Sequence, residues 1–415
     1  MSDLIDKAKK VKEAAPKLAF ATTDEKNQAL ALMAEQLILE TPFILEANQQ
    51  DLQTGRNNLI SESMLDRLAL TPARIQAMSA GLKELIQLPD PIGDILERNQ
   101  RPNGLIIEKV RVPLGVIGMI YEARPNVTVD AAGLCLKAGN TVLLRGSSSA
   151  IHSNQALIKV LHHGLEKSAI PMEAIQLLED TSLKAATCMQ KLNQYLDVLI
   201  PRGGPVLIQS VVNHATVPVI QTGVGNCHLY IDASADPSMA CAISLNAKVQ
   251  RPSVCNAAET ILVHEEWATS HLMELITTLR EHGVTIYADE GTRQIDPNLY
   301  PASEKDWQDE YLDMAVALKV VPNLQTAMKH IHTYGTKHSE AIITENLENA
   351  STFLSQVDAA AVYHNASTRF TDGTQFGYGA EMGISTQKLH VRGPIGLAGL
   401  TSTKYIIHGT GQIRG

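Results

Sequence analysis

Short apolar runs alternate with stretches of helical spacing along most of this chain, and that alternation constrains the fold more than any other feature. Between residues 114 and 232 the apolar runs are "GVIGMIY", "TVLLR", "AIQLLE", "DVLIP", "VPVIQ" and "CHLYID". Helical patterns such as "NVTVDAAGLCLKA" and "GPVLIQSVVNHA" lie between most of them. A parallel strand pair needs a crossover of this length, so the spacing predicts an α/β fold with mostly parallel sheets covered on both faces. After Asp236 the alternation restarts with the helix "DPSMACAISLNAKV" and the strand "TILVH". It continues through "VTIYA", "MAVALKVV", a helix near 323–333, "EAIITE" and "AAAVYHN". A length of 415 residues is chain enough for two or three domains with well-buried cores. The expected domains are 1–232 and 233–385, with 386–415 as a return segment.

Other patterns govern the two ends. Residues 2–90 read as consecutive helices. "TTDEKNQALALMAEQLILE" opens on Thr and Asp, and "TPARIQAMSAGLKELIQL" carries Pro72 in its first turn, where the missing N–H costs little. In "DILERNQRPNGLIIEKVRVP" two extended arms flank Asn103-Gly104, a tight-turn pair, which predicts a β-hairpin over 94–112. Arms this polar have little core to join, so the hairpin is expected to project and pack on another subunit. The final "TSTKYIIHGTGQIRG" reads as a polar strand that leaves the core and pairs with an edge. Hairpin and terminal strand are the expected oligomerisation element of a homo-oligomer, a dimer or tetramer.

The formal charge of -9 argues against nucleic acid or an anionic membrane surface as partner, since either needs a basic face. A local cluster of donors still allows an anionic small substrate. No run of 18 apolar residues is present, so no membrane span is expected, and the first residues lack a signal peptide's apolar stretch. The five cysteines (135, 188, 227, 241, 255) are odd in number and form no CxxC. Neither a disulfide framework nor a zinc site is expected, and a cytoplasmic location is. The 14 histidines show no metal-ligand spacing; "HIH" at 330–332 reads as surface or partly packed, and no metal is expected.

Four of the cysteines lie within helix or strand patterns, where packing explains them. Cys255, in "VQRPSVCNAAET", stands in a polar turn before a strand. Arg251 is close in sequence, and a nearby cation favours the thiolate, the nucleophilic form. "LLRGSSSAIHSN" ends a strand in Arg145, Gly146, Ser147 and Ser148, then opens a helix. Backbone N–H groups at a helix start suit a phosphate, and a polar turn with a serine cap reads equally well. "IPRGGPVLI" repeats the arrangement with Arg202, Gly203 and Gly204. No GxGxxG follows a strand, so the usual dinucleotide fingerprint is missing.

In this order the pieces resemble the aldehyde dehydrogenase superfamily. The likeness covers nearly the whole chain and rests on "VPLGVIGMIYEARPNVTVDAAGLCLKAGNTVLLRGSSSA", "IPRGG", "VQRPSVCNAAETILVH", "YGTKHSEAI", "NASTRFTDGTQFGYGAEMGISTQK" and "GQIR". It implies an aldehyde-dehydrogenase-like fold in which 1–232 binds NADPH and 233–385 carries the catalytic thiol. By position it makes Cys255 the nucleophile and Asn126 the amide that helps stabilise the oxyanion. Glu310 falls near the nicotinamide ribose, and the stretches 145–148 and 202–204 fall at the cofactor. Ser148 stands where members preferring NAD often carry a glutamate; a carboxylate there would repel a 2′-phosphate, so the serine favours NADP. Within the superfamily the likeness is to members that reduce L-glutamyl 5-phosphate to L-glutamate 5-semialdehyde in proline biosynthesis. It suggests functional coupling to glutamate 5-kinase. Arg124, His338, Glu340, Arg369 and Asp372 become candidate substrate ligands, and each serves equally as a structural pair.

One departure is informative. The superfamily's general-base glutamate aligns with Thr222, in "VIQTGVG". An enzyme that exchanges its acyl group with phosphate needs no activated water. Three other readings stay open at this point: a hydrolytic aldehyde dehydrogenase, a CoA-acylating one, and a cofactor-free thiol hydrolase.

Overall fold

Helix-capping signals are honoured at the start of the computed structural model, which describes residues 2–414. The helices are α1 (Ser2–Ala19), α2 (Thr23–Leu39), α3 (Thr41–Asn57), α4 (Glu62–Leu68) and α5 (Pro72–Gln87). Thr22 and Glu25 form a reciprocal capping box at α2, and the Thr71 hydroxyl accepts from the Arg74 N–H ahead of Pro72. A hairpin follows, β1 (Ile95–Gln100) and β2 (Ile106–Pro113), antiparallel as the Asn-Gly pair predicts. Gly104 has φ +88°, a conformation that favours glycine.

Alternation then takes over: β3 (Val116–Tyr121), α6 (Asn126–Lys137), β4 (Thr141–Arg145), α7 (Ile151–Leu165), β5 (Ile175–Leu177), α8 (Leu183–Met189), β6 (Val198–Arg202) and α9 (Pro205–His214). The strands form one parallel sheet in the order β5-β4-β3-β6. Every residue of β3 and β4 is buried, which is why their sequences read as unbroken apolar runs. Leu4, Ala8 and Val11 of α1 pack on Val116, Ile120 and Leu199 of this sheet. The run "VPVIQ" makes no full strand. It meets β6 at one bridge, Leu199 to Val219, since Pro218 has no N–H to donate to a ladder.

The second unit contains β7 (Cys227–Ile231), α10 (Pro237–Val249), β8 (Ala258–His264), α11 (Glu265–Glu281), β9 (Thr285–Ala288), α12 (Glu290–Ile295), β10 (Tyr300–Pro301), β11 (Ala315–Val321), α13 (Leu324–Tyr334), β12 (Ser339–Ile343), α14 (Leu347–Gln356) and β13 (Ala361–His364). Its seven strands form a parallel sheet, ordered β10-β9-β11-β8-β7-β12-β13. Two short strands follow, β14 (Ile384–Ser385) and β15 (Gly393–Pro394), and then β16 (Thr401–His408).

The boundary differs from the expected one. Unit 1 comprises 1–222, 377–383 and 395–415; unit 2 comprises 223–376 and 384–394. The division falls after Thr222 and not at 232, because "CHLYID" becomes β7 and pairs with β8 and β12. Nor is 386–415 one segment, since β15 belongs to unit 2 and β16 to unit 1. As predicted, the terminal strand finds an edge: β16 pairs antiparallel with β2 from Thr401–Pro113 to His408–Ile106. The buried Asn140 ties down this end of unit 1, donating to the Leu400 carbonyl at 2.9 Å and accepting from the Gly115 N–H at 2.8 Å.

Candidate active site

Cys255 lies half-buried on the turn between α10 and β8. Hydrogen bonds fix the turn from two sides. The Asn256 amide donates to the Thr371 carbonyl at 2.8 Å, and the Thr368 hydroxyl donates to the Asn256 carbonyl at 2.8 Å. From below, the Cys227 thiol donates to the Cys255 carbonyl at 3.2 Å. Gly225 packs its bare Cα on the same carbonyl, leaving no room for a Cβ. The other cysteines contrast with Cys255. Burial pushes the Cys135 and Cys227 thiols well above the usual range and Cys241 up to about 11, so none of the three favours a thiolate. Packing does explain Cys135 and Cys241, as expected; Cys227 has the further role of holding the Cys255 backbone.

A polar layer lies next to this turn inside unit 2. The Gly225 N–H donates to the Glu310 carboxylate at 2.8 Å, and burial pushes Glu310 up. Two residues on, Leu312 adopts φ +53° and donates its N–H to Glu259 at 3.3 Å. Glu259 in turn holds Lys248 at 2.6 Å, both side chains fully buried. Burial pushes Glu259 up to about 7 against the pull of Lys248. Desolvation offsets much of the attraction in a buried pair of this kind. Sequence reading missed both residues, although Lys248 ends a helix otherwise lined with small apolar side chains.

The substrate candidates of unit 2 divide. His338 is fully buried beside Cys227, its Nδ1 3.7 Å from that sulfur and 2.9 Å from the Ser339 hydroxyl. Arg369 is half-buried, its Nε donating to Gln250 at 2.9 Å. Glu340 is buried against His228, accepting from its backbone N–H at 2.7 Å. Asp372 caps its own turn, accepting from the N–H groups of Thr374 and Gln375 at 2.9 and 3.3 Å. Partners engage one oxygen of each carboxylate, while the Glu340 Oε1 is buried without a protein partner. In the "HIH" stretch His330 is buried among Trp307, Tyr334 and His228, while His332 is exposed.

The remaining candidates belong to unit 1. Asn126 opens α6, exposed, its amide donating to Asp130 at 3.0 Å; burial pushes Asp130 up to about 6. Arg202 is half-buried within electrostatic reach of Asp130, and Arg124 is half-buried ahead of α6. Arg145 turns its Nη2 to the carbonyls of Thr181 and Ser182. Its Nε and the nearby Asn154 Nδ2 are buried without a protein partner, two donors suited to a polar ligand at this turn. Ser147 pairs with Ser149 at 2.6 Å and Ser148 is exposed. The Gly204 N–H donates to Glu122 at 2.8 Å, and a Cβ at Gly203 would strike that same carboxylate. Thr222 is buried, its hydroxyl donating to the Pro201 carbonyl at 2.8 Å.

The model of the aldehyde dehydrogenase family matches residues 82–317. The gamma-glutamyl phosphate reductase of Halalkalibacterium halodurans is 61% identical over 415 residues, 100% of both chains. The crystal structure of gamma-glutamyl phosphate reductase from Thermotoga maritima gives a TM-score of 0.97 at 49% identity, covering 100% of each chain. The Saccharomyces cerevisiae counterpart gives 0.56 at 28% identity, covering 100% of this chain and 99% of that one.

Proposed function

The chain belongs to the aldehyde dehydrogenase family, in the branch of the gamma-glutamyl phosphate reductases, and on that premise we propose that it works through a thioester on Cys255. The reaction is reduction of L-glutamyl 5-phosphate to L-glutamate 5-semialdehyde and phosphate, a step of proline biosynthesis, with a nicotinamide cofactor. The observation that carries the thioester reading is the contrast among the thiols. Cys255 alone of the five combines a half-buried, polar turn with a backbone clamped in place. Its thiolate attacks the acyl carbonyl, and phosphate leaves. Oxyanion stabilisation falls to the Asn126 amide and the Cys255 N–H, donors worth about 3 kcal/mol each. Asp130 holds that amide in place. When bound, the cofactor supplies the hydride that reduces the thioester. Collapse of the hemithioacetal returns the thiolate and releases the aldehyde.

NADPH is the proposed cofactor. Ser148 offers an exposed hydroxyl with no carboxylate to repel a 2′-phosphate, and Arg202 stands at the second cofactor stretch. Arg145 contributes less than its sequence position suggests, because its guanidinium is turned towards Thr181 and Ser182. The unpartnered Arg145 Nε and Asn154 Nδ2 fit a polar ligand there, and Glu310 fits the ribose. Arg124, His338, Glu340, Arg369 and Asp372 remain the substrate candidates. Assembly is proposed through the β1-β2-β16 sheet, whose Ile95, Tyr405 and Ile407 are exposed large hydrophobics. The reading is of a cytoplasmic enzyme, in keeping with five cysteines outside any disulfide.

The test follows from Thr222. General-base help to water is worth about 10²–10⁴-fold, and no base stands at this position. Steady oxidation of glutamate semialdehyde should therefore require phosphate or arsenate. Without either, NADPH should form as a burst of at most one per active site. Sustained production in phosphate-free buffer would favour the hydrolytic reading and overturn this one.

A further inference from the structure

We infer that Arg251 and Arg369 form the subsite that holds the phosphoryl group of the acyl phosphate, and that binds inorganic phosphate in the reverse direction. The inference rests on the thioester reading above and assigns it a leaving-group site.

Local structure brings both arginines to Cys255. Arg251 lies on the Cys255 turn itself, exposed. Arg369 belongs to the short helical turn Thr368–Phe370, which is stitched to Asn256 beside the thiol. The Asn256 amide donates to the carbonyls of Thr371 at 2.8 Å and Arg369 at 3.4 Å, and the Thr368 hydroxyl returns a bond of 2.8 Å to Asn256. The Arg369 side chain then folds back on Gln250, next to Arg251, at 2.9 Å. Burial and the like charge of Arg251 both lower the Arg369 pKa, while Asp372 and Cys255 oppose the shift, so these groups lie within electrostatic reach of one another.

Two guanidiniums so placed repel each other. Two other arginines of the unit are neutralised, Arg280 by Asp296 at 2.6 Å and Arg392 by Asp358 at 2.8 Å, and Arg293 donates to the Leu299 carbonyl at 3.1 Å. Among the described residues neither Arg251 nor Arg369 is ion-paired. The acid in reach, Asp372, is engaged with Thr374 and Gln375. A dianion with several acceptor oxygens suits such a pair, because guanidinium matches phosphate geometry bidentately. The phosphoryl group is bonded, through oxygen, to the carbon that the thiol attacks. The substrate's α-carboxylate lies at the far end of the glutamyl chain.

As the C–S bond forms, the bond from the acyl carbon to the phosphoryl oxygen breaks. Phosphate departs with that electron pair and takes one proton from water. The two cations stabilise the charge that builds on the leaving oxygen. In reverse, hydrogen phosphate gives up its proton to solvent, its oxygen attacks the thioester, and the thiolate leaves.

The test is the NADP-linked oxidation of L-glutamate 5-semialdehyde at varied phosphate, for wild type, Arg251→Ala and Arg369→Gln. Each substitution should raise the KM for phosphate at least about tenfold, the scale of one charged hydrogen bond. The KM for the semialdehyde should move less than about threefold. A rise in the semialdehyde KM with the phosphate KM unmoved would assign the pair to the α-carboxylate. Constancy of both would remove the arginines from the site. Either result overturns the inference. Arg251→Ala alters an exposed side chain and keeps the test decisive should Arg369→Gln fail to fold. Phosphate-independent oxidation by the wild type is a separate outcome, and it would overturn the thioester reading before any variant is compared.

Discussion

Replacing Gly225 by Ala should silence the enzyme while leaving both parallel sheets folded. A Cβ at Gly225 would land on the Cys255 carbonyl, well inside van der Waals contact, and 3.0 Å from the Cys255 Cα. Both atoms are backbone, so no flexible side-chain end can swing away. The Cys255 turn is held through Asn256, Thr368 and Thr371, and the Gly225 N–H is held by Glu310. Relief therefore requires one backbone or the other to shift by about 1 Å or more. A misplacement of that size costs roughly 10²-fold in rate when reacting groups must meet in a near-attack geometry. Overpacking should add roughly 1–3 kcal/mol of destabilisation, spread over a unit with a large buried core. The assay is kcat/KM for semialdehyde oxidation with saturating phosphate, beside the rate of Cys255 alkylation by iodoacetamide and a urea midpoint. A Gly225→Ala enzyme within tenfold of wild type would show that Gly225 does not fix the thiol, and the clamp would have to be abandoned.

Three further outcomes are expected. Cys255→Ala should abolish turnover in both directions with cofactor binding intact; retained activity above about a thousandth of wild type would sink the covalent assignment. Ser148→Glu should shift preference from NADP towards NAD by roughly 1–3 kcal/mol, measured as the ratio of specificity constants, and no shift would remove Ser148 from the 2′-phosphate environment. Burial holds the His330 imidazole down at about 3, below its ordinary value of 6.5, so the unfolded chain binds more protons between those values. Stability should thus be full above pH 6.5 and fall as pH drops, by roughly 2 kcal/mol between pH 7 and 5. His330→Leu should flatten that slope in urea titrations, and an unchanged slope would place its cause elsewhere.

Strands were legible where burial on both faces made the sequence monotonously apolar, as in β3, β4 and β12. Helix starts were legible because caps are local, as at Thr22 and Thr71. The unit boundary was not, because it depends on which distant strands β7 chooses as neighbours. "CHLYID" is as apolar as the strands of the first sheet, and no local signal separates it from them. Cys255 stood out because its polar turn contradicts the usual burial of cysteine. The direction of a side chain is a different matter. Glu340 and Asp372 are acids in telling stretches, but their partners (His228 from another strand, and the N–H groups of the turn at 374–375) follow only from the folded backbone. The roles of Gly225 and Cys227 escaped notice for the same reason: both act on a carbonyl far along the chain.

Translation meets the two units in an awkward order. Strand β2 emerges early, yet its partner β16 follows roughly 290 residues later, a wait of about 15–60 s at ordinary elongation rates. Meanwhile all the strands of the seven-stranded sheet have left the ribosome, so unit 2 is free to fold first although it is encoded inside unit 1. Throughout that interval β2 presents an unpaired edge, and Asn140 lacks its acceptor on Leu400. An open edge is a template for pairing with another nascent chain. Ribosome-bound chains stalled before Thr401 should be cut readily by protease within 94–113, and chains carrying β16 clear of the exit tunnel should resist.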